Sequence, residues 1–259
     1  MRYREQKYIC GNYMAINMFP VFEQCYKSSG RKSKRKPTSK IQKKLNQHNA
    51  EKKLTRIINA NFTNQDYKLE LTYSDEHLPE TVEQAQKDIT NFFRRVSRAR
   101  DKSNLPKIKY VYSMEQGSRK KRIHFHVIMS GGLAINQIAK IWGKGYVDKV
   151  LPLMFDEEGC VGIAKYFCKQ QIKNANGTCK RWVSSHNCVK PAPSNNDFKL
   201  TKRKVREFAL DSENRRMFEA LYPDYYYASC KPFYNEESGL YYLYLTMYRK
   251  DAELDIHRR

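Results

Sequence analysis

Several features that would assign the chain at once are missing from it. It has no run of about 18 apolar residues, so no membrane-spanning helix is expected. The opening stretch, MRYREQKYICGNYMAINMF, lacks the long apolar core of a signal peptide. There are seven cysteines, an odd number: Cys10, Cys25, Cys160, Cys168, Cys179, Cys188 and Cys230. No two stand as CxxC, which argues against a disulfide framework and against a zinc ribbon. Cys179, His186 and Cys188 lie close together but lack a fourth ligand at zinc spacing, so free thiols in a reducing cytoplasm are the expectation. No GxxxxGK[ST] run occurs, which excludes a fused P-loop helicase. Acidic residues are scarce: 27 Asp+Glu face 49 Lys+Arg, for a net charge of +22. An acidic polymer suits such a surplus, and nucleic acid is the commonest one.

What is present is a foldable chain of 259 residues, with 40% apolar residues and 13% aromatic ones. The charge is uneven. Residues 1–56 hold 15 Lys+Arg and 3 Asp+Glu, with the densest piece at RKSKRKPTSKIQKK. Pro37 and the Ser/Gly flanks suggest a flexible start, and residues 39–60 read as a helix. Arg31, Lys32, Lys34, Arg35, Lys36, Lys43, Lys44, Lys52 and Lys53 are the candidate DNA-binding residues of this basic arm.

After Asn61 the pattern changes. YKLELTY reads as a strand, and Thr81 opens a helix to about Arg100 with Val82, Ala85, Ile89, Phe92, Phe93 and Val96 on one face. IKYVYSME and RIHFHVIM read as two further strands, LAINQIAKIWG as a helix, GYVDKVLPLM as a short strand and residues 159–171 as a helix. Strand–helix–strand–strand–helix–strand is the ferredoxin-like order, shared with RRM domains, and predicts an α+β core with an antiparallel split-βαβ sheet. The expected division is a basic arm at 1–60, a core at 61–175 and a C-terminal extension at 176–259. In that extension YLYLTMY reads as a late strand that can pair with YYYASCKPFY.

The chemistry concentrates in MEQGSRKKRIHFHVIM. His124 and His126 are two apart on a strand and so share one face, with Phe125 on the other. Glu115, on the preceding strand near the hairpin turn, can supply a carboxylate. Two imidazoles and a carboxylate with open positions suit Mg²⁺ or Mn²⁺, although an HxH pair also occurs as two ordinary strand histidines. On the later helix Tyr166 and Lys169 are three apart and share a face. A phenol with an ordinary pKa near 10 attacks well only beside a cation or a metal. By itself Tyr-x-x-Lys is equally an amphipathic helix with a core tyrosine and a surface lysine.

Taken together, LELTYSDEHLP, HFH and YFCK resemble, in order, the three motifs of the HUH endonucleases, the single-strand nickases of rolling-circle replication. The flanks resemble a bacterial group of these initiators in the basic helix followed by NF, in WGKG after the HUH strand, and in RWVSSHNCVKP, which departs from the pattern at His186 and Cys188. The resemblance covers about residues 40–192. It implies a cytoplasmic replication initiator of a plasmid, prophage or phage-like element in a bacterial host. In that reading Glu115, His124 and His126 hold the metal, Tyr166 becomes joined to a 5′-phosphate and frees a 3′-hydroxyl, and Lys169 assists. Single-stranded and origin-hairpin DNA are the implied partners, with a host helicase and DNA polymerase, and no membrane. A single-strand transposase and a relaxase share the chemistry; a relaxase places its tyrosine before the HUH motif. An RRM-like nucleic-acid-binding protein is the alternative without catalysis, but no KGFGFV-like strand is present.

Overall fold

The structure is a computed structural model and describes residues 1–22, 40–117, 122–155, 159–169 and 180–250. In chain order the elements are β1 (Arg2–Cys10), β2 (Tyr13–Val21), α1 (Lys40–Asn61), β3 (Tyr67–Thr72), a 3-10 turn (Asp75–His77), α2 (Val82–Lys102), β4 (Tyr110–Gln116), β5 (Ile123–Met129), α3 (Ile135–Trp142), β6 (Val147–Pro152), α4 (Val161–Lys169), β7 (Val183–Ser184), β8 (Ser194–Leu200), α5 (Lys202–Leu210), α6 (Arg215–Leu221), β9 (Tyr225–Asn235) and β10 (Leu240–Arg249). The architecture is α+β, with two antiparallel five-stranded sheets. No helix among the described residues is long and apolar enough to cross a membrane.

The chain divides into two compact units, and the one formed by Ala50–Phe155 and Cys160–Val189 carries the motifs. Its sheet runs β6-β3-β5-β4-β7. Helix α2 starts at Thr81, whose hydroxyl accepts from the Gln84 amide at 3.1 Å and so satisfies an otherwise orphan donor. Its apolar stripe, Ala85, Ile89, Phe92, Phe93 and Val96, is buried against Leu69, Leu71, Phe125 and Val127, together with Ile138 and Trp142 of α3. The opposite sheet face is covered in part by Leu54, Ile57 and Ile58 of α1 and by Ala164, Phe167 and Cys168 of α4, packed on Val111 and Ile128. Strand β5, flanked by β3 and β4, is therefore buried on both faces, which is why IHFHVIM reads as apolar throughout except at its two histidines.

The other unit is drawn from Met1–Asn49, Asp156–Gly159 and Lys190–Arg259. Its sheet runs β8-β1-β2-β10-β9 and buries Tyr3, Ile16, Met18, Leu243, Leu245 and Met247 against Val205 and Phe208 of α5 and Phe218 of α6. The tail expected to be a hairpin is one: Leu240 pairs with Asn235, and the register runs to Arg249 opposite Tyr225.

The start of the chain departs from expectation. Rather than a flexible arm, Arg2–Cys10 and Tyr13–Val21 form a hairpin closed at Gly11, whose φ of 63° suits glycine. The inward positions of β1 include a buried acid, Glu5, which breaks the apolar alternation that marks a strand. Glu5 is satisfied by the Tyr222 hydroxyl, which donates to it, and by the Lys199 ammonium at 2.9 Å. The partners of β1 and β2 at the sheet's interior, β8 and β10, lie near the other end of the sequence, where no local pattern signals them. The helix expected at 39–60 is present as α1.

Candidate metal and nucleophile site

Strand pairing builds the site. Glu70 of β3 lies opposite His126 of β5, and Thr72 lies opposite His124. On the other side of β5, His124 faces Glu115 of β4 and His126 faces Ser113. Because successive strand residues alternate between faces, Glu70, His124, His126 and Glu115 all point to the face that carries α4. The Glu115 carboxylate (Oε2) stands 2.8 Å from His126 Nε2 and 3.6 Å from His124 Nε2, and Glu70 Oε1 stands 3.8 Å from His124 Nε2. Glu70, His124 and His126 can place one ligand atom each within 4.8 Å of one another. Two imidazole nitrogens beside two carboxylates form a donor set that fits Mg²⁺ or Mn²⁺.

The electrostatics agree with that use. Burial holds the His126 imidazole below its ordinary pKa against the opposing pull of Glu115, so at neutral pH its nitrogen is available as a ligand. Burial raises the Glu70 carboxyl, but the hydrogen bond from Lys149 and the positive charge of His126, Lys149 and His124 outweigh it and leave the group below the usual range.

Helix α4 brings in Tyr166. Ala164, Phe167 and Cys168 anchor the helix on the sheet, which leaves Tyr166 on its outer side, 42% exposed, with its ring 4.6 Å from the His126 ring. Burial, then the Glu115 and Glu70 carboxylates, push its phenol above the ordinary value, while Lys149 pulls it back. Lys169 is exposed at the end of α4 and has no hydrogen bond or ion pair among the described residues.

The flanking motifs have structural work around this site. The Trp142 indole donates to the Thr72 carbonyl at 2.9 Å, and Thr72 and Tyr146 exchange backbone hydrogen bonds. Gly145 has φ of 152°, and a side chain there would collide with the same Thr72 carbonyl. WGKG therefore packs directly on the strand residue opposite His124. In RWVSSHNCVKP, Val183 and Ser184 add the edge strand β7 to β4, Ser185 exchanges hydrogen bonds with Tyr110, and Asn187 donates to the Ile108 carbonyl at 3.0 Å. His186 is exposed and Cys188 is buried, and Cys179 lies outside the described residues. Cys10, Cys160, Cys168, Cys188 and Cys230 are free and buried.

Of the candidate DNA-binding residues, Arg31, Lys32, Lys34, Arg35 and Lys36 lie outside the described residues. Lys43, Lys44 and Lys53 are exposed on α1, whereas Lys52 is half-buried, and burial with the neighbouring Arg56 charge lowers its pKa to about 8. Sequence reasoning did not place Glu70 and Lys149 in the site. Glu70 sits inside the first motif, and the split-βαβ order, which sets the first strand beside the third, was the signal that could have found it.

Residues 66–171 match the family model described as replication-associated protein ORF2, a span that begins just before β3, includes all of α4 and covers less than half of the chain. No curated protein and no solved structure matches the chain. The matched span contains Glu70, Glu115, His124, His126, Lys149, Tyr166 and Lys169, so the similarity to a replication-associated family falls on the segment that builds the cluster.

Proposed function

We propose that the chain is a replication initiator of the HUH type that nicks single-stranded origin DNA with Tyr166 and leaves a 3′-hydroxyl primer. The observation that carries this reading is Tyr166 standing over His126 at the Glu–His–His cluster, inside the span similar to replication-associated proteins. The strand order β6-β3-β5-β4, with helices after β3 and β5, supports a ferredoxin-like core for it.

Glu70, Glu115, His124 and His126 would hold the ion. A bound Mg²⁺ or Mn²⁺ would polarise the scissile phosphate and neutralise charge on its oxygens. The chain's own residues do the rest. Tyr166 is held by the packing of Phe167 and Ala164 with its hydroxyl end free to meet a phosphate. Its oxygen bonds to phosphorus as the bond to the 3′-oxygen breaks; the phenol proton leaves to solvent, and the 3′-oxygen takes one up. The product is a 5′-phosphotyrosine, a phosphodiester in exchange for a phosphodiester, so a later 3′-hydroxyl can reverse the step without ATP. The basic residues of the 31–53 segment would contact phosphates around the nick, and a host helicase and polymerase would extend the primer.

The test uses a random-sequence library of single-stranded oligonucleotides labelled at the 3′ end, with Mn²⁺. The expected result is a labelled band that survives denaturing electrophoresis and is absent with chelator and with Tyr166→Phe. Binding without any covalent band would favour a nucleic-acid-binding protein without catalysis.

A further inference from the structure

Strand β6 carries an irregularity beside the site. Lys68 pairs with Leu151 and Glu70 with Asp148, so β3 spends two steps where β6 spends three. The extra residue makes a bulge, and within it Lys149 has φ of 51°, the left-handed region that a lysine side chain rarely adopts. An outlier of this kind persists only where surrounding structure holds it, and it marks functional sites more often than elsewhere. The bulge turns the Lys149 side chain onto the site face. Its ammonium lies 2.6 Å from Glu70 Oε2, while the other oxygen of that carboxylate faces His124 at 3.8 Å. Lys149 remains 71% exposed, so a phosphate arriving from solvent can reach it.

We propose that Lys149 is a catalytic cation of this site, whose ammonium binds a non-bridging oxygen of the scissile phosphate beside Tyr166. An ammonium has three donors, and the bond to Glu70 uses one, leaving two for phosphate oxygens. Tyr166 feels the Lys149 charge, whereas Lys169, the lysine of the YFCK motif, has no ion pair among the described residues. The site thus draws positive charge from an edge strand as well as from the helix that carries the nucleophile. This inference rests on the nicking function proposed above.

The experiment compares Lys149→Gly, Lys149→Arg and the unaltered chain. Glycine is the informative substitution, because it accepts the positive φ and removes only the side chain. Three quantities are read: adduct formation at saturating 3′-labelled single-stranded DNA and Mn²⁺, Mn²⁺ affinity by titration, and the melting temperature. Lys149→Gly is expected to melt at or above the unaltered chain, to bind Mn²⁺ with unchanged affinity, and to form adduct roughly 100-fold more slowly, the scale on which losing one fixed electrostatic contact acts. Lys149→Arg should recover most of that rate. An undiminished rate in Lys149→Gly would overturn the proposal, and so would a loss that tracks weakened Mn²⁺ binding, since Lys149 would then serve only to position Glu70. Absence of adduct from the unaltered chain would overturn the nicking function itself, and this inference with it.

Discussion

Tyr166 meets His126 ring edge to ring face, with centroids 4.6 Å apart and planes at 68°. One residue comes from β5 and the other from α4, and the contact fixes the candidate nucleophile next to the candidate metal ligands. His126 is itself hydrogen-bonded to Glu115 at 2.8 Å, so orientation passes from one strand to the next and then to the helix.

Removing only the phenolic oxygen tests the nucleophile. Tyr166→Phe keeps the ring on His126 and is expected to abolish the covalent adduct while leaving single-stranded DNA affinity nearly intact. Gel shift and denaturing electrophoresis on the same samples separate the two effects. Adduct from the Phe variant would move the nucleophile elsewhere, with the exposed Tyr146 next to be tested.

Metal binding should be visible without any DNA. Mn²⁺ at about 100 times its Kd stabilises a native state by about 2.7 kcal/mol, which for a unit of this size raises its melting temperature by roughly 5–10 °C. His124→Ala and His126→Ala should lose that rise. Glu70→Gln and Glu115→Gln, measured in parallel, assign the carboxylates: the true ligand is the one whose loss weakens Mn²⁺ by at least about 10–100-fold.

Gly145→Ala should act on the site from outside it. The added methyl meets the Thr72 carbonyl, and φ of 152° disfavours alanine, so the expected cost is about 2 kcal/mol or more in denaturant unfolding. Thr72 lies opposite His124, so weaker Mn²⁺ binding should accompany the lost stability. Wild-type stability would show that the WGKG turn relaxes without cost.

The basic segment calls for substitution rather than deletion. Deleting residues 1–38 would remove β1 and β2 and open the sheet they belong to. Replacing Arg31, Lys32, Lys34, Arg35 and Lys36 by serine leaves the strands in place. If all five contact phosphates, the slope of log K against log salt should flatten by roughly 3.5–4.5, at about 0.7–0.9 per contact. An unchanged slope would show that these residues do not meet DNA.

The motif-bearing unit was largely legible because its signals are local. Thr81 caps α2 as the sequence predicts, the apolar spacing of α2 matches its buried face, and the two-residue spacing of His124 and His126 puts both on one sheet face. What stayed hidden depends on contacts distant in sequence or on backbone conformation. Glu70 reaches the histidines only through the pairing of β3 with β5. No pattern announces that Lys149 takes a left-handed conformation, since the sequence there is an ordinary edge strand with two outward charges. The N-terminal hairpin was missed for both reasons: a buried glutamate interrupts it, and its ion-pairing and hydrogen-bonding partners, Lys199 and Tyr222, are remote.

The pairing of β2 with β10 sets a condition on synthesis. Met18 waits for Leu243, and β10 is among the last parts of the chain to leave the ribosome. Through most of translation, the exposed edge of β2 can recruit any strand that drifts past, whether from its own chain or from a neighbouring nascent copy. A message truncated before Leu240 would leave that edge open for good, even with every residue of the proposed nicking site already made. Soluble, unaggregated product therefore reports that the reading frame was completed through β10.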